Sequence, residues 1–271
     1  MKMHIANKRF IVIAFMADIM LANDCFAGAW TLPEGKLYDK VSLNHYTSDP
    51  DFTDINLGNY LEYGVTDTVS IINSIYYKQI RNKFTASGIT TTTTTTGISD
   101  IEIGLKHKLA EGPNGILSHQ AIVKIPGGYD KNSVLPLGNG QIDVEYRVLY
   151  GLSLSRWFPG YANFEAGYRY RAKAPADEIR YLAEIGTDIT GQLYARVKLD
   201  GILSMNNADN VVNINGNPTA VNQFDLQKLD TALGYKMTEK WGLEFGYTPT
   251  LYAKNTAKGT SYSVGVTYLL R

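Results

Sequence analysis

The chain has a single cysteine, Cys25, and after Leu21 it has no apolar run long enough to cross a membrane as a helix. One thiol excludes a disulfide framework and a cysteine-based metal site. The 26 Lys and Arg residues balance the 26 Asp and Glu residues, so the charge does not indicate nucleic acid as a partner. The 19 tyrosines and 25 glycines instead indicate strands and turns.

The first residues indicate export from the cytoplasm. A basic start and an apolar stretch from Phe10 to Leu21 precede the small residues Ala27-Gly28-Ala29, which suit a signal peptidase. The apolar stretch is shorter than the roughly twenty residues that a membrane-spanning helix needs. We expect a signal peptide over residues 1–29 and a mature domain over residues 30–271, with cleavage after Ala27 as the alternative.

Apolar and polar residues alternate between Gln141 and Arg171. Every even position from Ile142 to Leu154 is apolar, and Asp, Glu and Arg residues stand between them. Period-two alternation puts the two sets on opposite faces of a strand, so this stretch is predicted to be a long hairpin. Seven apolar positions exceed a typical strand of about five or six residues, but they suit a tilted strand that crosses a bilayer.

Connections between the strand-like segments alternate in length. Short turns such as Thr66–Thr68 alternate with long connections such as Arg81–Ser99 and Met205–Asn222. The run Thr90–Thr96 suits either a surface recognition loop or a solvated extension of a hairpin. The pattern predicts an all-β fold, a transmembrane antiparallel β-barrel of about twelve strands with short periplasmic turns and long extracellular loops.

A soluble, lipocalin-like barrel is the competing fold, and it would turn the apolar set inward. Trp157 and Trp241 fall at predicted short turns, where an aromatic girdle would place them at a membrane interface. The alternation also changes phase near Lys228, which predicts a β-bulge. Strand length, the signal peptide and the alternating connections favour the membrane barrel.

Several short motifs resemble one known family. They are Gly138-Asn-Gly140-Gln-Ile-Asp143-Val-Glu145, Pro159-Gly-Tyr-Ala-Asn163, Gly167-Tyr-Arg-Tyr-Arg171, Pro175-Ala-Asp177-Glu178 and the start Ala29-Trp30-Thr-Leu-Pro33. They are similar to an outer-membrane barrel family that carries the label MetA pathway of phenol degradation. The resemblance implies a transport-like role in the outer membrane and no catalytic residues. Gly265, Tyr268 and Leu270 resemble the C-terminal assembly signal of such barrels, although the chain ends in Arg271.

The charged face of the strands is the only group of residues in the sequence that indicates a functional mechanism. If the apolar face meets lipid, the candidate pore lining consists of Glu62, Lys106, Lys108, Asp143, Glu145, Arg147, Glu165, Arg169, Arg171, Arg180, Glu184, Arg196 and Lys198. We expect a channel for passive uptake of small solutes, including aromatic or hydrophobic ones. The alternative is a structural or surface-interaction barrel whose lumen is filled by a lattice of salt bridges.

The sequence gives the least support for an enzymatic function. A lipid hydrolase would need a Ser-His pair, and His45 near Ser42 and Ser48 is the one candidate. His107 and His119 also fall on the predicted outer face. We therefore predict no catalytic residue, no cofactor and no metal ligand. The expected partners are outer-membrane lipid, the outer-membrane assembly machinery and a small solute.

Overall fold

The computed structural model describes residues 28–48, 51–113, 115–209 and 221–270. Most of the predicted signal peptide and the C-terminal Arg271 lie outside these residues. Within them, no helix has the length and apolar character required to span a membrane.

All regular structure in the described residues is β-structure. The strands are β1 (Leu37–Ser48), β2 (Phe52–Thr66), β3 (Val69–Ala86), β4 (Ile89–Ile98), β5 (Ile101–Gly112), β6 (Gly115–Ile125), β7 (Asp143–Ser153), β8 (Gly160–Arg171), β9 (Glu178–Asp188), β10 (Leu193–Ser204), β11 (Asp225–Lys236), β12 (Trp241–Lys254) and β13 (Gly259–Leu270).

Twelve of the thirteen strands form a closed antiparallel barrel. Each strand of the ring pairs with its neighbours, and β1 closes the ring by pairing with β13 along its whole length. The exception is β4, which pairs only with the second half of β3, while β5 pairs with the first half. Closure leaves no unpaired edge in the ring, as an apolar bilayer requires. The predicted fold class is confirmed.

The two ends of the barrel differ. The turns after β2, β5, β7, β9 and β11 are short, and we call this side the short-turn end. The opposite long-loop end carries the segments 126–142, 172–177, 205–209 and 221–224. Most of the predicted connection Met205–Asn222 lies outside the described residues. At the same end β1 ends at Ser48 and β2 begins at Phe52, so this connection is short.

The predicted connection Arg81–Ser99 is a hairpin and not a loop. Strand β3 continues to Ala86 and β4 returns after a turn at Ser87 and Gly88, whose φ angles are 51° and 78°. The threonine run forms the returning strand, as the β-propensity of threonine favours. Most of its side chains are exposed, so the interpretation as a solvated hairpin extension is correct and the prediction of a loop is wrong.

Apolar side chains face outward along the barrel wall. Val144, Tyr146 and Val148 are about half exposed, whereas Asp143 and Glu145 on the same strand are each 1% exposed. This orientation excludes the lipocalin-like alternative, which would bury the apolar set. Trp157 and Trp241 lie at the short-turn end and are exposed, as predicted.

The predicted bulge is also present. The register between β11 and β12 shifts between Gln227 and Lys228.

Candidate functional site

Charged side chains on the inner face meet across the lumen. Strands that are not neighbours exchange ion pairs, such as Arg169 of β8 with Glu102 of β5 at 2.5 Å. Arg196 of β10 likewise reaches Glu244 of β12 at 3.2 Å. Such contacts form only through the interior of the barrel.

The predicted pore-lining residues lie on this inner face. Each of them forms an ion pair with a side chain of opposite charge. These residues are Glu62, Lys106, Lys108, Asp143, Glu145, Arg147, Glu165, Arg169, Arg171, Arg180, Glu184, Arg196 and Lys198. Lys108 pairs near the short-turn rim with Glu111 at 2.7 Å. That these residues line a pore remains a prediction.

One half of the lumen, along β5 to β9, is tightly packed, and Glu62 joins it from the short-turn part of β2. Lys106 Nζ lies 2.9 Å from Glu62 Oε2, and their side chains are 2% and 0% exposed. Both charges are removed from water, so each depends on the other for compensation.

Glu145 is the centre of this packed half. Its carboxylate pairs with Arg147, with Arg169 at 2.5 Å and with Arg180 at 3.4 Å. Arg147 also pairs with Glu165 at 2.9 Å. Three guanidinium groups around one carboxylate leave little free volume beside it.

An N-terminal segment, residues 28–32, lies inside the barrel against the packed half. Ala29 is fully buried, donates its N–H to Asn163 Oδ1 at 3.0 Å and accepts from Ser118 Oγ at 2.5 Å. Lys106 Nζ donates to the Gly28 carbonyl at 3.1 Å. Gly28 has φ +80°, and a Cβ there would lie 2.1 Å from the Asn163 side chain, so the position requires glycine.

This segment continues along the short-turn end toward β2 and β3. Leu32 is buried and donates its N–H to Ser70 Oγ at 3.0 Å. Gly35 donates its N–H to the Gly64 carbonyl at 2.9 Å. The short-turn end is therefore filled beside β2 to β8. The sequence carries no periodic signal for a chain that lies inside a barrel, and this part of the site was missed.

The opposite wall carries small side chains. Lys40, Tyr46 and Tyr60 also face inward on β1 and β2. We call the short inward-facing residues the small-residue wall: Ser42 and Asn44 on β1, Asn56 and Gly58 on β2, Gly246, Thr248 and Thr250 on β12, and Ser261, Ser263 and Gly265 on β13. Its Ser, Thr and Asn side chains are half-buried. Short side chains reach less far into the lumen than the paired arginines and glutamates of the packed half.

Charges near the small-residue wall form a second, looser network. Arg196 pairs with Glu184 at 3.3 Å, with Asp230 at 3.2 Å and with Glu244 at 3.2 Å. Lys40 also pairs with Glu244. Lys40 and Asp230 are 24% and 25% exposed, and Arg147 and Arg180 of the Glu145 network are 20% and 22% exposed, so both networks meet solvent at their edges.

The long loop 126–142 folds over part of the long-loop end. Leu135 and Leu137 are buried against Phe52 of β2 and Ile80 of β3. Ser99 Oγ donates to the Leu137 carbonyl at 2.8 Å. The loop thus covers the inner faces of β2 and β3 at this end.

A tyrosine stabilises the same loop through hydrogen bonds. Tyr129 donates its hydroxyl to Asp100 Oδ1 at 2.5 Å and accepts the Gly140 N–H at 2.7 Å. Burial raises the pKa of Tyr129 far above its usual value, and the hydrogen bond to Asp100 raises it further. The phenol therefore stays protonated and keeps its bond to the carboxylate.

A cleft of about 290 Å³ opens between the loops 172–177 and 205–209. Asp177 shapes it by accepting hydrogen bonds from Tyr168 at 2.7 Å, from the Arg171 N–H at 2.7 Å and from Asn207 at 2.8 Å. Burial acts to raise the pKa of Asp177, but these hydrogen bonds and the Arg171 charge outweigh it and lower the pKa. Lys173 and Asp209 also line the cleft.

The histidines do not form a hydrolase site. His45 faces outward, whereas Ser42 and Ser48 lie on the inner side of the same strand, so the proposed Ser-His pairing is wrong. His107 Nδ1 and His119 Nε2 lie 3.1 Å apart on the outer face. Among the described residues, no group of three or more His, Cys, Asp and Glu side chains is arranged to hold a metal ion.

Comparison with known proteins identifies the fold. No model of a protein family matches the chain, and no curated protein matches its sequence. Among solved structures, the barrel is similar to the COG4313 outer membrane channel from Pseudomonas putida F1, with a TM-score of 0.66, 15% identity, and coverage of 89% of this chain and 98% of that one.

Two porins are similar to a lower degree. The NanC porin has a TM-score of 0.57 and 10% identity, with 86% of this chain and 100% of that chain covered. The KdgM porin has a TM-score of 0.53 and 8% identity, with 86% and 99% covered. At these identities the likeness shows a fold shared with outer-membrane barrels. The resemblance to the phenol-degradation family stays a prediction.

Proposed function

We propose that this protein is an outer-membrane channel for passive uptake of small polar solutes. The observation that carries the proposal is the difference in side-chain size across the lumen: large, paired side chains line the β5–β9 half, and short side chains line the small-residue wall opposite. The short side chains would leave a path open. Solutes would follow that wall. The similarity to a channel and two porins supports the role.

The outward apolar belt would lie in outer-membrane lipid, after insertion by the assembly machinery and removal of the signal peptide. Cleavage after Ala27, the alternative site, would retain Gly28 and Ala29 in the barrel. The short-turn end would then face the periplasm and the long-loop end the exterior. Replacing Val148 with Arg should cost roughly 2–4 kcal/mol of folding free energy in lipid, because it places a charge in the apolar belt. Ser153→Arg is the matched control. Equal folding yields for both variants in liposomes would contradict this placement.

The chemistry of the wall favours polar solutes. Its hydroxyl and amide groups, such as Asn44 Nδ2 donating to Asn56 Oδ1 at 2.9 Å, offer hydrogen bonds rather than an apolar surface. Acids and bases nearly balance around the lumen, so we expect weak ion selectivity. Uptake of aromatic solutes remains an expectation drawn from the family resemblance.

Planar-bilayer recording and liposome swelling test the channel. The purified mature protein should give a stable single-channel conductance and admit glycerol into liposomes. A reversal potential close to the ideal cation or anion limit would contradict weak selectivity.

A second candidate function is a closed, structural barrel. The buried Glu62–Lys106 pair and the N-terminal segment favour it, because both occupy the lumen. Correctly folded protein that shows neither conductance nor glycerol entry would support this candidate and contradict the channel.

A further inference from the structure

Two inward-facing charges of the described strands form no ion pair, and one of them, Asp200, lines a small cavity beside Arg147, Glu165 and Arg180 of the packed half. Asp200 of β10 and Lys228 of β11 lie directly opposite each other in the register of the sheet, and both are half-buried. Neither has an ion-pair partner among the described residues. All other inward-facing acids and bases of the described strands have one.

The cations near Lys228 are already engaged by carboxylates. Lys228 lies within electrostatic range of Asp200, Lys78, Arg180 and Lys198. Lys78 pairs with Asp54 at 3.3 Å, Lys198 with Asp230 at 3.7 Å, and Arg180 with Glu145 at 3.4 Å. Lys228 is the base that remains available to a solute.

The Asp200–Lys228 pair also borders the proposed path. On its other side Lys228 is in register with Thr250, a member of the small-residue wall. Asp200 lies toward the long-loop end of β10, which ends at Ser204. A solute that enters from the long-loop end and follows the wall would pass both charges.

We infer that Asp200 and Lys228 form a solute-binding site for small zwitterions, molecules that carry a carboxylate and an ammonium group as amino acids do. The Lys228 ammonium donates to the carboxylate of the solute, and the Asp200 carboxylate accepts from its ammonium. Charge-assisted hydrogen bonds of this kind are stronger than neutral ones. The inference rests on the proposed channel function.

Such a site would favour entry without trapping the solute. Conduction requires binding that is favourable enough to admit a solute and weak enough to release it. Asp200 and Lys228 supply one contact each and remain partly in solvent, which keeps the binding weak.

Liposome swelling with glycine and glycerol tests the site. Both probes are small, but only glycine is a zwitterion. Lys228→Gln and Asp200→Asn should each lower the ratio of glycine to glycerol entry by roughly threefold to tenfold, the effect of losing one ordinary, partly solvated hydrogen bond. Glycerol entry should be unchanged. Lys240→Gln, in the exposed turn between β11 and β12, is the matched control and should retain the wild-type ratio.

An exchange variant separates charge pairing from a change of shape. The double substitution Asp200→Lys and Lys228→Asp keeps both charges in the lumen, so it should retain more of the glycine preference than either single variant. If the single variants keep the wild-type ratio while glycerol still enters, the site is refuted and the channel stands. If wild-type protein admits neither probe, the channel and the site are both refuted.

Discussion

The two halves of the lumen contain the same kinds of charged residue, but we propose that one half is filled and the other is open. Around Glu145 the arginines are compressed against one carboxylate that is 1% exposed. Around Arg196 the carboxylates of Glu184, Glu244 and Asp230 are 4%, 9% and 25% exposed, and the strands beyond carry serine, threonine and glycine. Ion pairing alone therefore does not distinguish a filled lumen from an open one. The size of the neighbouring side chains does.

The N-terminal segment strengthens this contrast. It lies beside Lys106, Ser118 and Asn163 of the packed half and adds backbone to a region that is already dense. No described residue of this segment hydrogen-bonds to the small-residue wall. The path that we propose follows the wall that both features leave free.

The largest difference between the halves should appear in stability. Glu62→Ala should lower the unfolding free energy by about 3–5 kcal/mol, because it leaves Lys106 buried without its partner. Asp230→Ala should cost less than about 1 kcal/mol, because its partners are partly solvated. Urea unfolding in liposomes measures both. Equal losses would show that the two networks are equally buried.

Single-channel conductance should depend on the small-residue wall, whereas stability depends most on the packed half. Ser263→Trp adds a large ring to the small-residue wall and should lower the single-channel conductance severalfold while the protein still folds. Ser155→Trp, in an exposed turn, is the control and should conduct as the wild type does. A normal conductance for Ser263→Trp would place the path elsewhere.

Ion selectivity should give the smallest difference. Arg196→Gln should shift the reversal potential toward cations, because Asp230 and Glu244 lose a positive partner beside the path. Arg169→Gln should shift it much less, since Arg169 is 5% exposed and lies within the packed half. The shift should weaken as salt rises. A larger shift for Arg169→Gln would reverse our assignment of the halves.

Local patterns in the sequence predicted the wall of the barrel well. Alternation assigned Val144 and Tyr146 outward and Glu145 inward, because side-chain direction in a strand has period two. A change of phase was also enough to locate the bulge at Lys228. The same information could not show which inward charges would meet across the ring.

The missed features depend on contacts between distant parts of the chain. Ala29 bonds to Asn163, 134 positions away, and nothing in residues 28–32 marks a segment that enters a barrel. The small-residue wall combines β12 and β13 with β1 and β2, which closure alone brings together. The hairpin at Thr90–Thr96 was misassigned as a connection because its polar strand lies outside the ring and has no apolar face.

Cysteine accessibility tests the central claim most directly. Cys25 is the single cysteine, and its predicted removal with the signal peptide would give a thiol-free background. Ser263→Cys on the small-residue wall should react with a charged methanethiosulfonate reagent and lose current. Ser118→Cys, at a position that is fully buried beside the N-terminal segment, should keep its current unchanged. Block of Ser118→Cys with full current through Ser263→Cys would contradict the proposed path.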